Sequence, residues 1–91
     1  MEVTIILPAP LRKYAGNQKK VFTNASSVNE AFDELKLQST NLIEHIIDSE
    51  QQVREFIKVF VNKKDIAQLQ GLETPLKQGD VVSIVPAFAG G

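Results

Sequence analysis

Apolar residues alternate with polar ones near both ends of the chain. In residues 2–7 the alternating apolar positions are Val3, Ile5 and Leu7. A period of two places them on one face of a β-strand, which Pro8 closes. Residues 80–85 are also rich in β-branched side chains, and proline has no amide hydrogen to continue a ladder. The pattern therefore predicts a first strand and a last strand that stops at Pro86.

The segment after the first strand is dominated by turn-forming residues. Residues 9–17 predict a loop that can hold one helical turn, with Leu11 and Tyr14 as its apolar anchors. Residues 18–23 predict a short strand antiparallel to the first. Two lysines at its start suit a position at the edge of a sheet, where charge discourages aggregation.

One amphipathic helix is indicated by both its start and its stripe. Ser27 and Glu30 match a capping box, in which the serine caps an amide three residues on and the glutamate reaches back. The stripe that follows recurs at helical spacing and consists of Val28, Ala31, Phe32 and Leu35. A local cap at Asn41 and the apolar residues behind it predict a second, shorter helix over residues 41–47.

The strongest strand signal lies in residues 54–61. Ile57, Val59 and Val61 would share one face, which leaves Phe56, Lys58 and Phe60 on the other. Two aromatic rings on a half-polar face indicate either a partner or cover by the chain's own loops. Residues 62–65 predict a hairpin turn and residues 66–69 a short edge strand. An irregular stretch over 71–79 leads to a tight turn at Gly79-Asp80.

These elements predict an α+β fold with the order ββαβ(β)β. The sheet is mixed, has four or five strands and carries one main helix across a face, because only the capped helix is long enough to cover it. We expect the first and last strands to lie side by side and parallel at its centre. Residues 1–86 would form the domain, and residues 87–91 a flexible tail that ends in two glycines.

Length, composition and charge fit one small domain. The chain has 91 residues, a net charge of -1 and no cysteine, which excludes disulfides, thiolate metal sites and cysteine nucleophiles. The near-zero charge favours neither nucleic acid nor a membrane surface as a partner. Neither a signal peptide nor a run of roughly 18 apolar residues is visible. We expect a soluble, cytoplasmic protein that is monomeric when free.

The residues give no indication of an intrinsic active site. His45 is the single histidine and has no second ligand cluster, so a surface or helix-end role is favoured over metal binding. No carboxylate pair suits acid–base catalysis, and no serine has a visible histidine partner. We therefore expect that the chain is not an enzyme and has no cofactor or metal of its own.

Short motifs in a fixed order run through almost the whole chain. They are Val3-Thr4-Ile5, Leu11-Arg12 leading to Gly16, Val59-Phe60-Val61-Asn62, Thr74-Pro75-Leu76, Gly79-Asp80-Val81-Val82 and Pro86-Ala87-Phe88-Ala89-Gly90-Gly91. With them the chain resembles the ubiquitin-like β-grasp sulfur carriers. Among the branches it is similar to the molybdopterin synthase small subunit and, more closely, to the carrier of cysteine biosynthesis. The thiamine-pathway carrier is usually shorter and matches less well.

The resemblance implies a protein cosubstrate rather than a catalyst. A ubiquitin-activating-type enzyme would use ATP and magnesium to adenylate the carboxylate of Gly91, and a sulfur donor would then leave a thiocarboxylate there. Gly90 and Ala89 would thread the narrow active-site channel of a partner, since glycine has no Cβ. Phe88, Pro86 and Phe60 would dock on that partner.

The sulfur acceptor stays open at this point. A cysteine synthase type of enzyme or the large subunit of a molybdopterin synthase would receive the sulfur. In the main alternative the chain is a ubiquitin-like modifier, and its terminal glycine is joined to lysines of other proteins. In a third interpretation it is a structural subunit with a passive tail.

Overall fold

The alternating segments form the strands of one mixed sheet in the computed structural model, which describes residues 2–86. The strands are β1 Val3–Ile6, β2 Lys20–Thr23, β3 Ile57–Val61, β4 Lys64–Asp65 and β5 Val81–Pro86. Their order across the sheet is β2-β1-β5-β3-β4. The helices are α1 Val28–Gln38 and α2 Thr40–Glu44, with three 3-10 helices at Ala9–Ala15, Ile66–Gln68 and Gly71–Glu73. In this part of the chain no helix is both long and apolar enough to cross a membrane.

The pairing of the central strands agrees with the prediction. β1 runs antiparallel to β2 and parallel to β5, with Ile5 opposite Val82. β5 pairs on its other side with β3 in the antiparallel sense, with Val59 opposite Ile84. The last strand therefore lies between two neighbours, and β2 takes the edge position that its lysines predicted.

The core lies between α1 and one face of the sheet. All four residues of the predicted helical stripe are buried, and Leu35 is 1% exposed. The inward strand residues that meet them include Ile5, Val59 and Val82, which are also buried. Burying a side chain of this size contributes about 1.5–3 kcal/mol relative to leaving it in water. The helix and the inward half of each strand thus supply the main hydrophobic stabilisation.

The start of α1 differs in one bond from the predicted capping box. Ser27 Oγ accepts a hydrogen bond from the Glu30 amide at 3.1 Å, as expected. Glu30 Oε1, however, accepts from the amide and hydroxyl of Ser26, at 3.0 and 2.9 Å, and not from the amide of Ser27. The two hydrogen bonds to Ser26 hold the pKa of Glu30 below its ordinary value, the backbone bond more than the hydroxyl.

The second helix begins before Asn41. Ser39 Oγ accepts from the Leu42 amide at 3.2 Å and caps α2, while the Ser39 amide donates to Leu35 at the end of α1. One serine therefore ends the first helix and begins the second. The predicted range of 41–47 also ran too far, since α2 ends at Glu44, although Ile46 beyond it is buried.

The predicted edge strand over residues 66–69 is wrong. The turn consists of Asn62 and Lys63, so the returning strand β4 is Lys64–Asp65. Asn62 has a φ of 59°, which asparagine tolerates better than most residues. Asp65 Oδ1 then accepts from the Ala67 amide at 2.9 Å and begins a 3-10 helix. β4 is therefore only two residues long, because the side chain of Asp65 caps the helix that follows.

Several strand boundaries also differ from the prediction. β1 is Val3–Ile6 and not 2–7, and β2 begins at Lys20 and not at residue 18. β3 begins at Ile57, three residues later than the apolar run suggested. β5 extends to Pro86, which lies opposite Ile57 in the register of the two strands. Proline lacks only the amide donor and keeps its carbonyl acceptor, so it can occupy the last position of a strand. The predicted stop at Pro86 is therefore one residue early.

Candidate functional site

The structure describes two of the predicted site residues, Pro86 and Phe60. Phe88, Ala89, Gly90 and Gly91 lie outside the described residues, and their roles stay predictions, as does the boundary between a domain of residues 1–86 and a tail of 87–91. The structure supplies the position of Pro86, the residue that precedes this segment in the sequence. Pro86 lies at the carboxyl end of the central strand β5.

Strand direction determines what surrounds Pro86. Because β1 and β5 are parallel, their carboxyl ends lie at the same edge of the sheet. β3 is antiparallel to β5, so it begins at this edge with Ile57. The segment that follows β1 turns here into the 3-10 helix Ala9–Ala15. Residues from three distant parts of the sequence therefore meet beside the last described residue.

Between these segments lies an open groove of about 310 Å³, called here the strand-end groove. Its lining is mostly apolar and includes Pro8, Pro10, Leu11, Tyr14, Phe56, Ile57 and Pro86. Arg12 Nε donates to the Leu7 carbonyl at 3.0 Å and holds the 3-10 helix against the end of β1. Gly16, with a φ of 65°, ends that helix. The wall formed by Leu11 and Tyr14 is thus fixed at both of its ends.

The polar part of the strand-end groove carries positive charge. Its remaining lining residues are Lys13, Arg54 and His45, and no acidic side chain lines it. His45 stacks on Tyr14 with ring centroids 4.5 Å apart, and Lys13 Nζ lies 5.3 Å from the centre of the Tyr14 ring. His45 follows α2 and is exposed, so its predicted role at a helix end is confirmed.

The second candidate surface is the outer face of the sheet, which points away from α1. Phe60 lies there, half-buried, between the inward residues Val59 and Val61. It stands opposite Ser83, which is in turn opposite Ile6 on β1. Other apolar residues on this face are more exposed, Phe22 by 59% and Val85 by 41%. We call this the outer sheet face.

The two aromatic rings of the predicted strand do not share one surface. Phe56 precedes β3 and lines the strand-end groove, whereas Phe60 lies on the outer sheet face. The sequence analysis did not identify Phe22, Val85 or Ile6 as part of that face. The sequence does contain a signal for them, because each alternates with inward-facing apolar or β-branched residues of its strand. The strand-end groove had no such signal, because its residues are far apart along the chain.

Within residues 2–86 the structure shows no group of three histidine, aspartate or glutamate side chains that could hold a metal ion. Asp65 lies opposite Phe60 on the neighbouring strand. Its carboxylate is 4.0 Å from Lys58 Nζ. Lys58 is well exposed, and such pairs contribute about 1 kcal/mol or less. The described part of the site consists of the strand-end groove and the outer sheet face.

Comparison with known proteins extends this picture to the whole chain. The ThiS family model matches residues 5–91. The sulfur carrier protein CysO of Mycobacterium tuberculosis is 32% identical over 93 residues, with all of both chains covered. A chain in the crystal structure of the Amycolatopsis orientalis BexX/CysO complex is 35% identical, with 98% of this chain and 99% of that one covered and a TM-score of 0.88.

The fold is also found in protein modifiers. The small archaeal modifier protein 1 (SAMP1) of Methanosarcina acetivorans is 29% identical, with 99% of this chain and 96% of that one covered and a TM-score of 0.83. These likenesses confirm the ubiquitin-like β-grasp fold that the sequence motifs implied.

Proposed function

The chain belongs to the ThiS family, and from this we propose that it is a sulfur carrier protein. The observation that carries the proposal is the likeness to CysO over the full length of both chains. The family match also runs through Gly90 and Gly91. The chain acts as a cosubstrate, and its terminal carboxylate is the group that changes.

The chemistry requires a partner because a carboxylate at neutral pH is a poor electrophile. An adenylating enzyme of the ubiquitin-activating type binds ATP and magnesium and joins the Gly91 carboxylate to the α-phosphate, which releases pyrophosphate. A nucleophilic sulfur donor then attacks the acyl carbon, and AMP leaves with the bonding electron pair. The product is a thiocarboxylate at Gly91. The phosphates and the metal ion are supplied by the partner, which stabilises the charge that develops.

The position of β5 explains how the fold presents this carboxylate. The strand is held by β1 on one side and β3 on the other, so the tail of residues 87–91 starts from a rigid point. Gly90 and Ala89 add little bulk and suit a narrow channel. Fixing each residue of the tail costs about 1–2 kcal/mol in conformational entropy. Contacts of the folded body with the partner have to offset that cost.

The outer sheet face is the surface that we assign to this docking. Phe60 lies at its centre in the cross-strand row, with the exposed Phe22 and Val85 on the same face. A partly exposed apolar surface of this kind is typical of interaction sites. Pro86 and Phe88 would extend the contact towards the channel.

The acceptor that we favour is an enzyme of the cysteine synthase type. It binds an activated serine derivative. The thiocarboxylate sulfur becomes bonded to the side-chain carbon of this derivative, and the activating group leaves that carbon with its bonding electron pair. The support for this choice is the 32% identity to the sulfur carrier protein CysO. A molybdopterin synthase large subunit is the other acceptor that the family resemblance implies. Binding of the thiocarboxylated protein to each acceptor enzyme, measured side by side, distinguishes the two.

Intact-mass measurement tests the central step. The chain is incubated with the activating enzyme, ATP and sulfide, and we expect a mass increase equal to the exchange of one oxygen for sulfur. A variant that lacks Gly91 is the matched control and should gain no mass. An unchanged mass of the full chain, under conditions in which the enzyme adenylates it, would contradict the sulfur carrier proposal.

The modifier function is the second candidate, and the likeness to SAMP1 favours its inclusion. Activation of the carboxylate is the same in both functions, and only the acceptor differs. Conjugates of high mass that survive reduction and require Gly91 would support the modifier. A thiocarboxylate without such conjugates would support the carrier.

A further inference from the structure

β2 forms one edge of the sheet, and among the described strands it pairs with β1 alone. We propose that this edge binds an edge strand of a folded partner protein. The added strand places a carboxylate beside Lys20 and an apolar side chain beside Phe22, and it continues the sheet across the two proteins. The proposal goes beyond the sulfur carrier function, because it involves no group of the tail and applies whatever Gly91 carries.

The backbone of β2 alternates between groups that face β1 and groups that face away from it. The Leu7 amide donates to the Lys19 carbonyl at 2.9 Å, so Lys19 directs its carbonyl towards β1. In an antiparallel ladder such residues recur at every second position, and Val21 therefore faces β1 as well. Lys20 and Phe22 lie between these positions and direct their N–H and C=O groups towards the open side.

The pairing of β1 with β5 leads to the same assignment. The Thr4 amide donates at 3.1 Å to the carbonyl of Asp80, which directly precedes β5, so this amide faces away from β2. Thr4 stands opposite Phe22 in the register of β1 and β2. The two residues therefore form a pair without hydrogen bonds between them. Two amides and two carbonyls of β2, those of Lys20 and Phe22, are thus directed towards a further strand.

The side chains at this edge determine which strand it accepts. Phe22 is 59% exposed on the outer sheet face, so an apolar residue of the added strand would remove part of its ring from water. Lys19 and Lys20 are exposed, and neither forms an ion pair within residues 2–86. A carboxylate opposite Lys20 completes a cross-strand charge pair. The edge therefore favours a strand in which an apolar and an acidic residue are two positions apart.

Charge also distinguishes a partner from a second copy of this chain. Two β2 edges in contact would bring Lys19 and Lys20 of both copies to one seam, and lysine at an edge discourages such self-pairing. An acidic partner strand replaces this repulsion with attraction. Because an edge strand of a folded partner is ordered before it binds, association also costs less conformational entropy than the ordering of a flexible segment.

A cyclised β-hairpin peptide and nuclear magnetic resonance on the full chain test the proposal. One strand of the peptide reads Thr-Val-Thr-Glu-Thr, so that its valine and glutamate can lie opposite Phe22 and Lys20. We expect the amide hydrogens of Lys20 and Phe22 to shift and to exchange with solvent about tenfold more slowly, because they gain an acceptor. The amides of Val21 and Thr23 already face β1 and should change little.

Matched variants separate the effect of charge from that of the edge. A peptide with lysine in place of glutamate should bind about tenfold more weakly, and so should the original peptide to Lys20→Glu. Lys20 is exposed, so this variant should keep the native spectrum outside β2. Lys64→Glu makes the same change on β4, at the opposite edge of the sheet. It should leave the dissociation constant of the peptide unchanged.

Three results would overturn the proposal. One is the absence of slower exchange at the Lys20 and Phe22 amides with the peptide at about 1 mM. Another is equal affinity of the native protein and Lys20→Glu, because charge would then not select the strand. The third is protection of the same amides that rises with protein concentration without peptide, which would assign the edge to a second copy. None of these measurements involves Gly91, so they leave the sulfur carrier proposal untouched.

Discussion

The two faces of the sheet are built from the same five strands and differ in what their side chains meet. On the inward face Val3, Ile5, Val82 and Ile84 are packed with α1 and are 2% exposed or less. On the outer sheet face Ile6, Phe60 and Val81 are half-buried, and Phe22 and Val85 are exposed. The hydrophobic pattern of each strand therefore supplies stability on the inward face, and on the outer face it supplies the surface that we propose for docking. Substitutions can separate the two contributions.

Removal of a buried residue from the covering helix should have the largest effect. Leu35→Ala leaves a cavity beside the inward face and should lower the free energy of unfolding by about 2–5 kcal/mol. Urea denaturation measures this. Leu37→Ala is the matched control, because Leu37 lies on the same helix but is 88% exposed. It should change stability by about 0.5 kcal/mol or less. Equal losses in both variants would show that α1 does not divide the faces in this way.

The same comparison can be made within β5 with a single residue type. Val82 is fully buried and Val85 is 41% exposed. Val82→Ala removes two buried methyl groups and leaves a small cavity, so it should lower the free energy of unfolding by about 2 kcal/mol. Val85→Ala should cost about 0.5 kcal/mol or less. The difference in thermal midpoint between the two variants provides the measurement, and a larger loss for Val85→Ala would contradict the assignment of the two faces.

Phe60→Ala tests recognition by the outer sheet face. If the activating enzyme docks there, the Michaelis constant for this protein should rise about tenfold, which corresponds to about 1.4 kcal/mol. The maximal rate should change little, because Gly91 is intact. Circular dichroism would establish that the variant is folded at the assay temperature, since Phe60 is half-buried. An unchanged Michaelis constant would remove Phe60 from the docking surface.

The smallest expected effect concerns the cap of the covering helix. The bonds from Ser26 lower the pKa of Glu30, so the folded state favours its charged form. The stability that Glu30 contributes is present above its unfolded pKa and is lost as the pH falls through the lower folded value. Glu30→Gln should therefore be less stable than the native protein at about pH 7 and equal to it at about pH 2. A difference that persists at the acid end would require another cause.

Local patterns were sufficient for the elements that cover and line the core. The alternation in β1 and β5, and the stripe and serine cap of α1, predicted elements that the structure confirms. The parallel pair at the centre of the sheet was expected from the arrangement of such folds. These features depend on side chains close together in sequence, or on the need to cover one face of a sheet.

Two of the errors lie where a side chain accepts a hydrogen bond from a backbone amide two or three residues later. The sequence pattern places Asp65 in a turn, but its carboxylate caps the 3-10 helix that follows. Ser39, and not Asn41, caps α2. Side chains of aspartate, asparagine and serine accept hydrogen bonds from nearby backbone amides both in turns and at the start of helices. Composition alone therefore does not choose between a turn and a helix start.

The candidate site could be predicted only in part. The tail and Phe60 follow from short sequence motifs, whereas the strand-end groove requires the three-dimensional arrangement. Pro8, Tyr14, His45 and Phe56 meet beside Pro86 because β1 and β5 are parallel. No spacing in the sequence indicates that contact.

The position of β5 also sets the order of events during synthesis of the chain. Thr4 pairs with Val81, so the sheet joins the beginning of the chain to a strand that is translated after all the others. Until residues 81–86 exist, the β1–β2 pair and the β3–β4 pair have no strand between them. A chain that stops short of this strand therefore lacks the centre of its sheet. We expect such a truncated product not to form the folded domain.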